Sequence, residues 1–188
     1  GDEHNSNRRL EDVAPTYLAS RRDACGATPV AIFSEELQSM CGCWVLLSLH
    51  RTRKRVGNAL TVKTSPGDNL LIYKSLMMAS PGHVLVVDGA GDLTNAIVGE
   101  LLMLYARERG CVGFVIDGAA RDSGAFLQAD FPCYARGISH RGPYKTGPGA
   151  INVPMVDSIA AVPPLNCNLF ADMVQKSPLT ARAPLAWA

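Results

Sequence analysis

Two short apolar runs limit what this chain can fold into. Val84-Leu-Val-Val-Asp88 and Val112-Gly-Phe-Val-Ile-Asp117 contain no polar interruption, and each ends on an aspartate followed by a glycine. A strand with one wet face alternates apolar and polar residues, whereas a continuous run fits a strand covered on both faces, as in parallel sheets. Between the runs a helical pattern extends to Arg109, with Ile97, Leu101 and Leu104 on one stripe, Val98, Leu102 and Tyr105 beside it, and Gly110 as a C-terminal stop. The order strand, helix, strand predicts two adjacent parallel strands joined by a right-handed crossover, with the helix starting between Asn95 and Gly99.

The flanking segments repeat the alternation. Gly57 to Thr64 is strand-like, and Ser65-Pro-Gly-Asp-Asn69 is a loop ending in residues suited to capping a helix over about 69–79. Ser80-Pro-Gly-His83 reads as a turn, Gly118 to Asp122 as a turn into a short helix reaching about Ala129, Phe131 to Arg136 as a third strand, and Gly142 to Gly149 as a Gly/Pro-rich loop. The expected fold is therefore α/β with a largely parallel central sheet, and its chemistry is expected at the carboxyl ends of the strands, at Asp88–Gly91 and Asp117–Asp122. A length of 188 residues, 47% hydrophobic and 19% charged, suits a single domain spanning 1–188. Residues 1–22 are a polar leader, 28–50 lack a clear period, and the Pro-containing segment from Met155 onward carries no strong pattern.

Charge narrows the function. Eighteen basic against seventeen acidic residues leave a net charge of +1, so no global field draws nucleic acid or an anionic membrane. The basic run Arg51-Thr-Arg-Lys-Arg55 reads as a solvated edge. No apolar run reaches the roughly 20 residues of a membrane span. Six scattered cysteines without a signal-like leader suggest a reduced, cytoplasmic setting, and Cys41-Gly-Cys43 lacks metal-site spacing. His4, His50, His83 and His140 form no paired motif and are expected at surfaces or turns. Gly89-Ala-Gly91 begins a dinucleotide fingerprint, but Thr94 stands where the third glycine belongs.

The residues most suggestive of chemistry are Gly99-Glu-Leu-Leu102 and Arg121-Asp122. With Gly99 at an N-cap, the backbone N–H groups of Glu100, Leu101 and Leu102 have no intrahelical acceptor and form a carboxylate-binding end. Arg121 would add a bidentate contact to the same anion, and Asp122, with Glu100 nearby, offers hard oxygen ligands for Mg²⁺ or Mn²⁺. A plainer reading stands beside this one, in which Arg121 and Asp122 are a surface ion pair and Glu100 complements a helix dipole.

The stretch from about Arg55 to Pro154 resembles the RraA-like family, which includes 4-hydroxy-4-methyl-2-oxoglutarate aldolases, regulators of ribonuclease activity and proteins once labelled demethylmenaquinone methyltransferases. The resemblance is carried by Pro66-Gly-Asp-Asn-Leu70, Pro81-Gly-His-Val-Leu-Val-Val-Asp-Gly89, Gly99-Glu-Leu-Leu102, Val115-Ile-Asp-Gly118, Arg121-Asp122, Ala135-Arg-Gly137 and Gly147-Pro-Gly149. The spacing of Glu100 to Arg121-Asp122, an acid and then Arg-Asp after twenty residues, is similar to the family's aldolase signature. It implies a swivelling β/β/α domain, a homotrimer and a divalent-metal-dependent lyase for small 2-oxo acids that also decarboxylates oxaloacetate. It further implies that Gly99, Glu100, Leu101, Leu102 and Arg121 bind substrate, that Arg121 and Glu100 are catalytic, and that Asp122 holds the metal. The resemblance equally allows a non-catalytic, protein-binding regulator; a methyltransferase would need a nucleoside-binding loop that Gly89-Ala-Gly91 supplies only in part.

Overall fold

The computed structural model describes residues 46–51 and 57–153. Seven strands form one sheet: β1 (Leu47–Ser48), β2 (Asn58–Thr64), β3 (His83–Asp88), β4 (Ala96–Val98), β5 (Gly113–Ala120), β6 (Cys133–Ile138) and β7 (Gly149–Ile151). Among the described residues three helices, α1 (Leu70–Met77), α2 (Glu100–Glu108) and α3 (Ser123–Ala129), connect the parallel strands. The sheet order is β1-β6-β5-β3-β2-β7, with β4 added beside the end of β5. The expected core pair is present: β3 and β5 are parallel neighbours, with Val84 opposite Gly113 and Asp88 opposite Asp117. The antiparallel edges β1 and β7 complete an α/β sheet that is parallel at its centre.

Apart from the short β4 between β3 and β5, strands β2, β3, β5 and β6 follow one another in sequence and in space, so crossovers of one hand place their helices on one face. That face holds the larger core, where Leu60, Val62, Leu85, Val87, Phe114 and Ile116 meet Ile72 and Leu76 of α1, Leu102, Met103 and Ala106 of α2 and Phe126 of α3. The alternate residues Ala59, Val84, Val86 and Val115 form a second cluster on the other face with Leu46. Val84 to Val87 are all buried, which explains the unbroken apolar run. Among the described residues, no helix is long and apolar enough to cross a membrane.

Several expectations need correction. Residues 96–98 are a strand, not the first turn of the helix, and α2 begins only at Glu100. Leu101 and Leu104, assigned to an apolar stripe, are 70% and 47% exposed, and the buried face is Leu102, Met103 and Ala106. Gly118 to Ala120 continue β5 instead of turning. His50 is buried and stacks edge-on against Tyr134, while His83 opens β3 half-buried. The leader, Cys41-Gly-Cys43, His4, most of the basic run and the segment from Met155 lie outside the described residues.

Asp68 fastens the Pro66-Gly-Asp-Asn69 loop to the distant Gly/Pro-rich loop. Its Oδ1 accepts from Leu70 N–H at 2.9 Å; its Oδ2 accepts from the Thr146 N–H at 2.5 Å, the Thr146 hydroxyl at 3.0 Å and the Gly147 N–H at 3.0 Å. Burial by itself raises the Asp68 pKa, but these donors outweigh it and hold the carboxyl below its ordinary 3.8. The unfolded chain then binds more protons than the folded one in acid. The stabilisation is complete above the ordinary value and disappears as pH falls through the folded one. Asp68→Asn should therefore lower stability at neutral pH and flatten the acid limb of the stability curve, as measured by urea unfolding across the acid range. A variant with the parent's acid slope would mean that Asp68 is not the linked group.

Candidate active site

The site is assembled by a mismatch in strand length. β5 has eight residues and β3 six, so Gly118 to Ala120 project past the sheet. The projection is paired on one side by β4, with Ala96 opposite Ala119 and Val98 opposite Ala120, and on the other by β6, with Ala119 opposite Gly137. The Arg121 N–H donates to the Val98 carbonyl at 3.0 Å, which brings the end of β5 beside the Gly99 N-cap of α2. Residues about twenty positions apart thus become neighbours, as Gly99 requires: a Cβ there would stand 2.7 Å from Asp122 Oδ2 and 2.9 Å from Arg121 Cγ.

Asp122 adopts a left-handed conformation, φ 55°, uncommon outside glycine and tolerated best by Asn and Asp. Although it sits at the N-cap of α3, its side chain makes no cap bond there. It turns to α2, where Oδ2 accepts the Glu100 N–H at 3.1 Å and lies 3.6 Å from Arg121 Nε. The first intrahelical bond of α2 runs from the Met103 N–H to the Gly99 carbonyl. The Leu101 and Leu102 N–H groups therefore precede the helix's own bonding and remain at its electropositive end.

These groups border a small pocket of about 20 Å³, lined by Asn69, Tyr73, Ala96, Ile97, Val98, Gly99, Leu101, Leu102, Arg121 and Pro143. That is room for about one water molecule, far below the roughly 300–1,000 Å³ of sites for drug-sized ligands. The structure makes Gly99, Glu100, Leu101, Leu102, Arg121 and Asp122 neighbours; Gly99, Leu101, Leu102 and Arg121 line the pocket, whereas Glu100 and Asp122 meet beside it through the Glu100 N–H. Asn69, Tyr73 and Pro143 were missed, since nothing in their local spacing ties them to α2. Pro143 and Tyr144 belong to the loop held by Asp68, and the Tyr144 carbonyl accepts the Asn69 N–H at 3.0 Å.

For a divalent cation the available donors are two carboxylates, Glu100 and Asp122, both exposed in part. No group of three His, Cys, Asp or Glu residues that could hold a metal occurs among the described residues. Asp122 Oδ2 is engaged by α2 and Arg121, leaving Oδ1 and the Glu100 carboxylate. Hard oxygen donors in this number suit a cation that keeps most of its waters, as Mg²⁺ does. Neither cysteine among the described residues is an activated nucleophile: burial pushes the Cys111 thiol up to about 11 and raises that of Cys133 further.

A second polar assembly caps the opposite face. Lys63, Asp88 and Asp117 are ladder partners on three adjacent strands, and Arg136 of β6 pairs with the fully buried Asp117. Lys63 and Asp88 lie 3.8 Å apart. An open cleft of about 510 Å³ lies over this row.

The RraA-like, Aldolase/RraA family model matches residues 31–164, beginning earlier than the motifs at 55 suggested. The chain belongs to this family. A protein of Halalkalibacterium halodurans described as "Putative 4-hydroxy-4-methyl-2-oxoglutarate aldolase" is 44% identical over 107 residues, 57% of this chain and 51% of the relative. The chain thus spans about half the length of that relative. Among solved structures, the RNA-processing inhibitor RraA from Thermus thermophilis matches with TM-score 0.65 and 27% identity, covering 73% of this chain and 84% of that one. A structure from Geobacillus kaustophilus described as an S-adenosylmethionine:2-dimethylmenaquinone methyltransferase gives TM-score 0.62 and 29% identity, covering 73% and 86%. The α/β fold of this family is the one the sequence predicted.

Gly99→Ala tests the assembly directly. The added methyl should push the Asp122 carboxylate off the α2 terminus, and loss of that charge-assisted bond should speed hydrogen exchange at the Glu100 amide by about tenfold or more, while the β3–β5 core stays protected. Unchanged exchange at Glu100 would show that the contact does not hold the helix end.

Proposed function

We propose that this chain is a divalent-metal-dependent lyase of small 2-oxo acids, cleaving 4-hydroxy-4-methyl-2-oxoglutarate to two pyruvates and decarboxylating oxaloacetate. The observation that supports it is that Leu101 and Leu102, at the N-terminus of α2, and Arg121 line one small pocket. Two N–H donors and a planar cation match a carboxylate with an adjacent carbonyl, the head group that all such substrates share. Asp122 and Glu100 would hold Mg²⁺ or Mn²⁺, which when bound supplies a Lewis acid for the 2-oxo group.

The chain's own residues account for the remaining chemistry. The α2 terminus fixes the C1 carboxylate, and Arg121 faces the 2-oxo oxygen where negative charge develops. In aldol cleavage the C4 hydroxyl yields its proton to Glu100, the C4–O bond becomes a carbonyl, and the C3–C4 bond breaks with its electron pair moving toward the 2-oxo oxygen as an enolate. Glu100 returns the proton to C3, giving the second pyruvate. Oxaloacetate reaches the same enolate by losing carbon dioxide, so one anion-stabilising arrangement serves both. Assembly as a homotrimer is part of this reading, and exposed Leu101 and Leu104 on α2 are side chains that a subunit contact would cover.

Pyruvate release from both substrates, with and without Mg²⁺, tests the proposal. Asp122→Ala should abolish metal-stimulated turnover, with poor rescue by added metal, because few protein ligands remain. Arg121→Lys keeps the charge but loses the planar fork. Metal binding should survive while the rate falls on the order of 10²–10³-fold, or about 2–4 kcal/mol of enolate stabilisation. If the parent releases no pyruvate with any divalent metal, the non-catalytic, partner-binding reading replaces this one.

A further inference from the structure

The Arg121 main chain is fixed by the bond from its N–H to the Val98 carbonyl, but its guanidinium is paired only loosely, at 3.6 Å from Asp122 and in contact with solvent. A screened pair of this kind does not hold a long side chain in one orientation. What backs the fork is Gly142. A Cβ added at Gly142 would lie 3.8 Å from Arg121 Nη1, so the guanidinium rests against bare backbone of the 139–146 loop. That backbone is tied to the chain entering β4 by three bonds: Ser139 Oγ to the Thr94 carbonyl at 2.8 Å, the Ala96 N–H to the Arg141 carbonyl at 2.9 Å, and Asn95 Nδ2 to the Gly142 carbonyl at 2.5 Å. The Asn95 bond is the one made to the glycine itself. Asn95 is buried, its own N–H donates to Asp92 Oδ2 at 3.3 Å, and a Cβ on Gly67 would come within 3.0 Å of the Asn95 Cβ, so the side chain has little room to turn. A carbonyl oxygen only accepts, which makes the amide nitrogen the atom facing Gly142. An aspartate would fill the same space but set an acceptor against an acceptor.

We propose that Asn95 is a positioning residue for Arg121: by holding the Gly142 carbonyl it sets the wall behind the guanidinium and so limits how far the fork can swing away from the pocket. The inference rests on the lyase reading above. Asn95 is not among the residues that line the pocket, so its action on the reaction is indirect. In that reading the substrate carboxylate is held by the α2 terminus, whereas the charge that develops on the 2-oxo oxygen is met by Arg121. Losing the Asn95 bond should therefore appear in kcat and leave KM nearly unchanged. A misplacement of about 1 Å in a group that acts on the transition state is enough to cost on the order of 10²-fold in rate.

The test uses Asn95→Asp, which keeps the shape and removes the donor, and Asn95→Ser, which removes the bond without adding charge, each alone and combined with Arg121→Lys. Pyruvate release is followed from 4-hydroxy-4-methyl-2-oxoglutarate and from oxaloacetate at saturating Mg²⁺. With Arg121 in place, kcat should fall roughly 10–100-fold with KM within about threefold, and by a similar factor for both substrates, since both pass through the same enolate. In the Arg121→Lys background the same replacements should cost no more than about threefold, because the group they misplace is already gone. A purely structural role would cost as much in either background. That result, an effect confined to KM, or no change at all overturns the proposal while leaving the lyase reading intact. A parent inactive on both substrates overturns both. If neither variant folds, Asn95 serves the fold alone and the positioning role is wrong.

Discussion

The site depends on one strand being longer than its neighbour. Gly118 to Ala120 carry the β5 backbone beyond the last residue of β3, and an overhanging strand leaves N–H and C=O groups that must find partners. β4 and β6 provide them, together with the bonds from Ala119 N–H to the Asp92 carbonyl and from Ser139 N–H to the Ala120 carbonyl. Satisfying that backbone draws three separate loops to one corner of the sheet. The corner is where Gly99, Arg121 and the 139–146 loop meet. Its position therefore follows from main-chain hydrogen bonding before any side chain with chemical function is considered.

Two helix starts show how structural and functional duties are divided at this corner. α1 is capped by Asp68, one residue before the N-cap, which leaves Asn69 uncommitted. α2 is capped by Asp122, a residue at the start of a different helix, which leaves α3 without a side-chain cap. The α2 cap replaces a local bond with a long-range one, and Asp68, while capping α1 locally through Oδ1, ties it to residues 146–147 through Oδ2. Local caps hold a helix together, whereas these caps hold elements against one another. The left-handed backbone at Asp122 belongs to the same trade, since such a conformation outside glycine costs on the order of 1–3 kcal/mol and persists only where neighbours fix it.

The sequence carried the central architecture because the signals there are local. Val84–Val87 are buried on both faces, and an unbroken apolar run is the direct record of that burial. β4 was illegible for the opposite reason. Ala96-Ile-Val98 is a three-residue strand whose ladder partner among the described strands is β5, and its apolar residues continue smoothly into the helical pattern of α2. A period-based reading has no means of placing the boundary, so it ran one helix across both elements and assigned Leu101 to the wrong face. Glu100, Arg121 and Asp122 were singled out by their places at strand and helix ends together with the resemblance to the family's spacing, since spacing alone fits a surface ion pair equally well. Asn69 and Pro143 were not, because the contact between their loops is made through Asp68 and residues 144–147, far apart in the chain. The Asp117–Arg136 pair likewise depends on the register of β5 against β6, which no local pattern encodes.

Size alone would favour a different place from the proposed site, since the cleft above Lys63, Asp88, Asp117 and Arg136 is larger than the pocket beside α2. The state of the two arginines separates them. Arg136 is bound through Nε to a carboxylate with no solvent exposure, and withdrawing it to meet a ligand would strand a buried charge, a loss of about 3–5 kcal/mol. Arg121 faces Asp122 across 3.6 Å with both side chains about two-fifths exposed, a contact of the solvent-screened kind that contributes about 0–1 kcal/mol. It can turn its fork to an incoming carboxylate or enolate at little cost. The charged row therefore closes the second face of the sheet, while the smaller pocket has the guanidinium free to act.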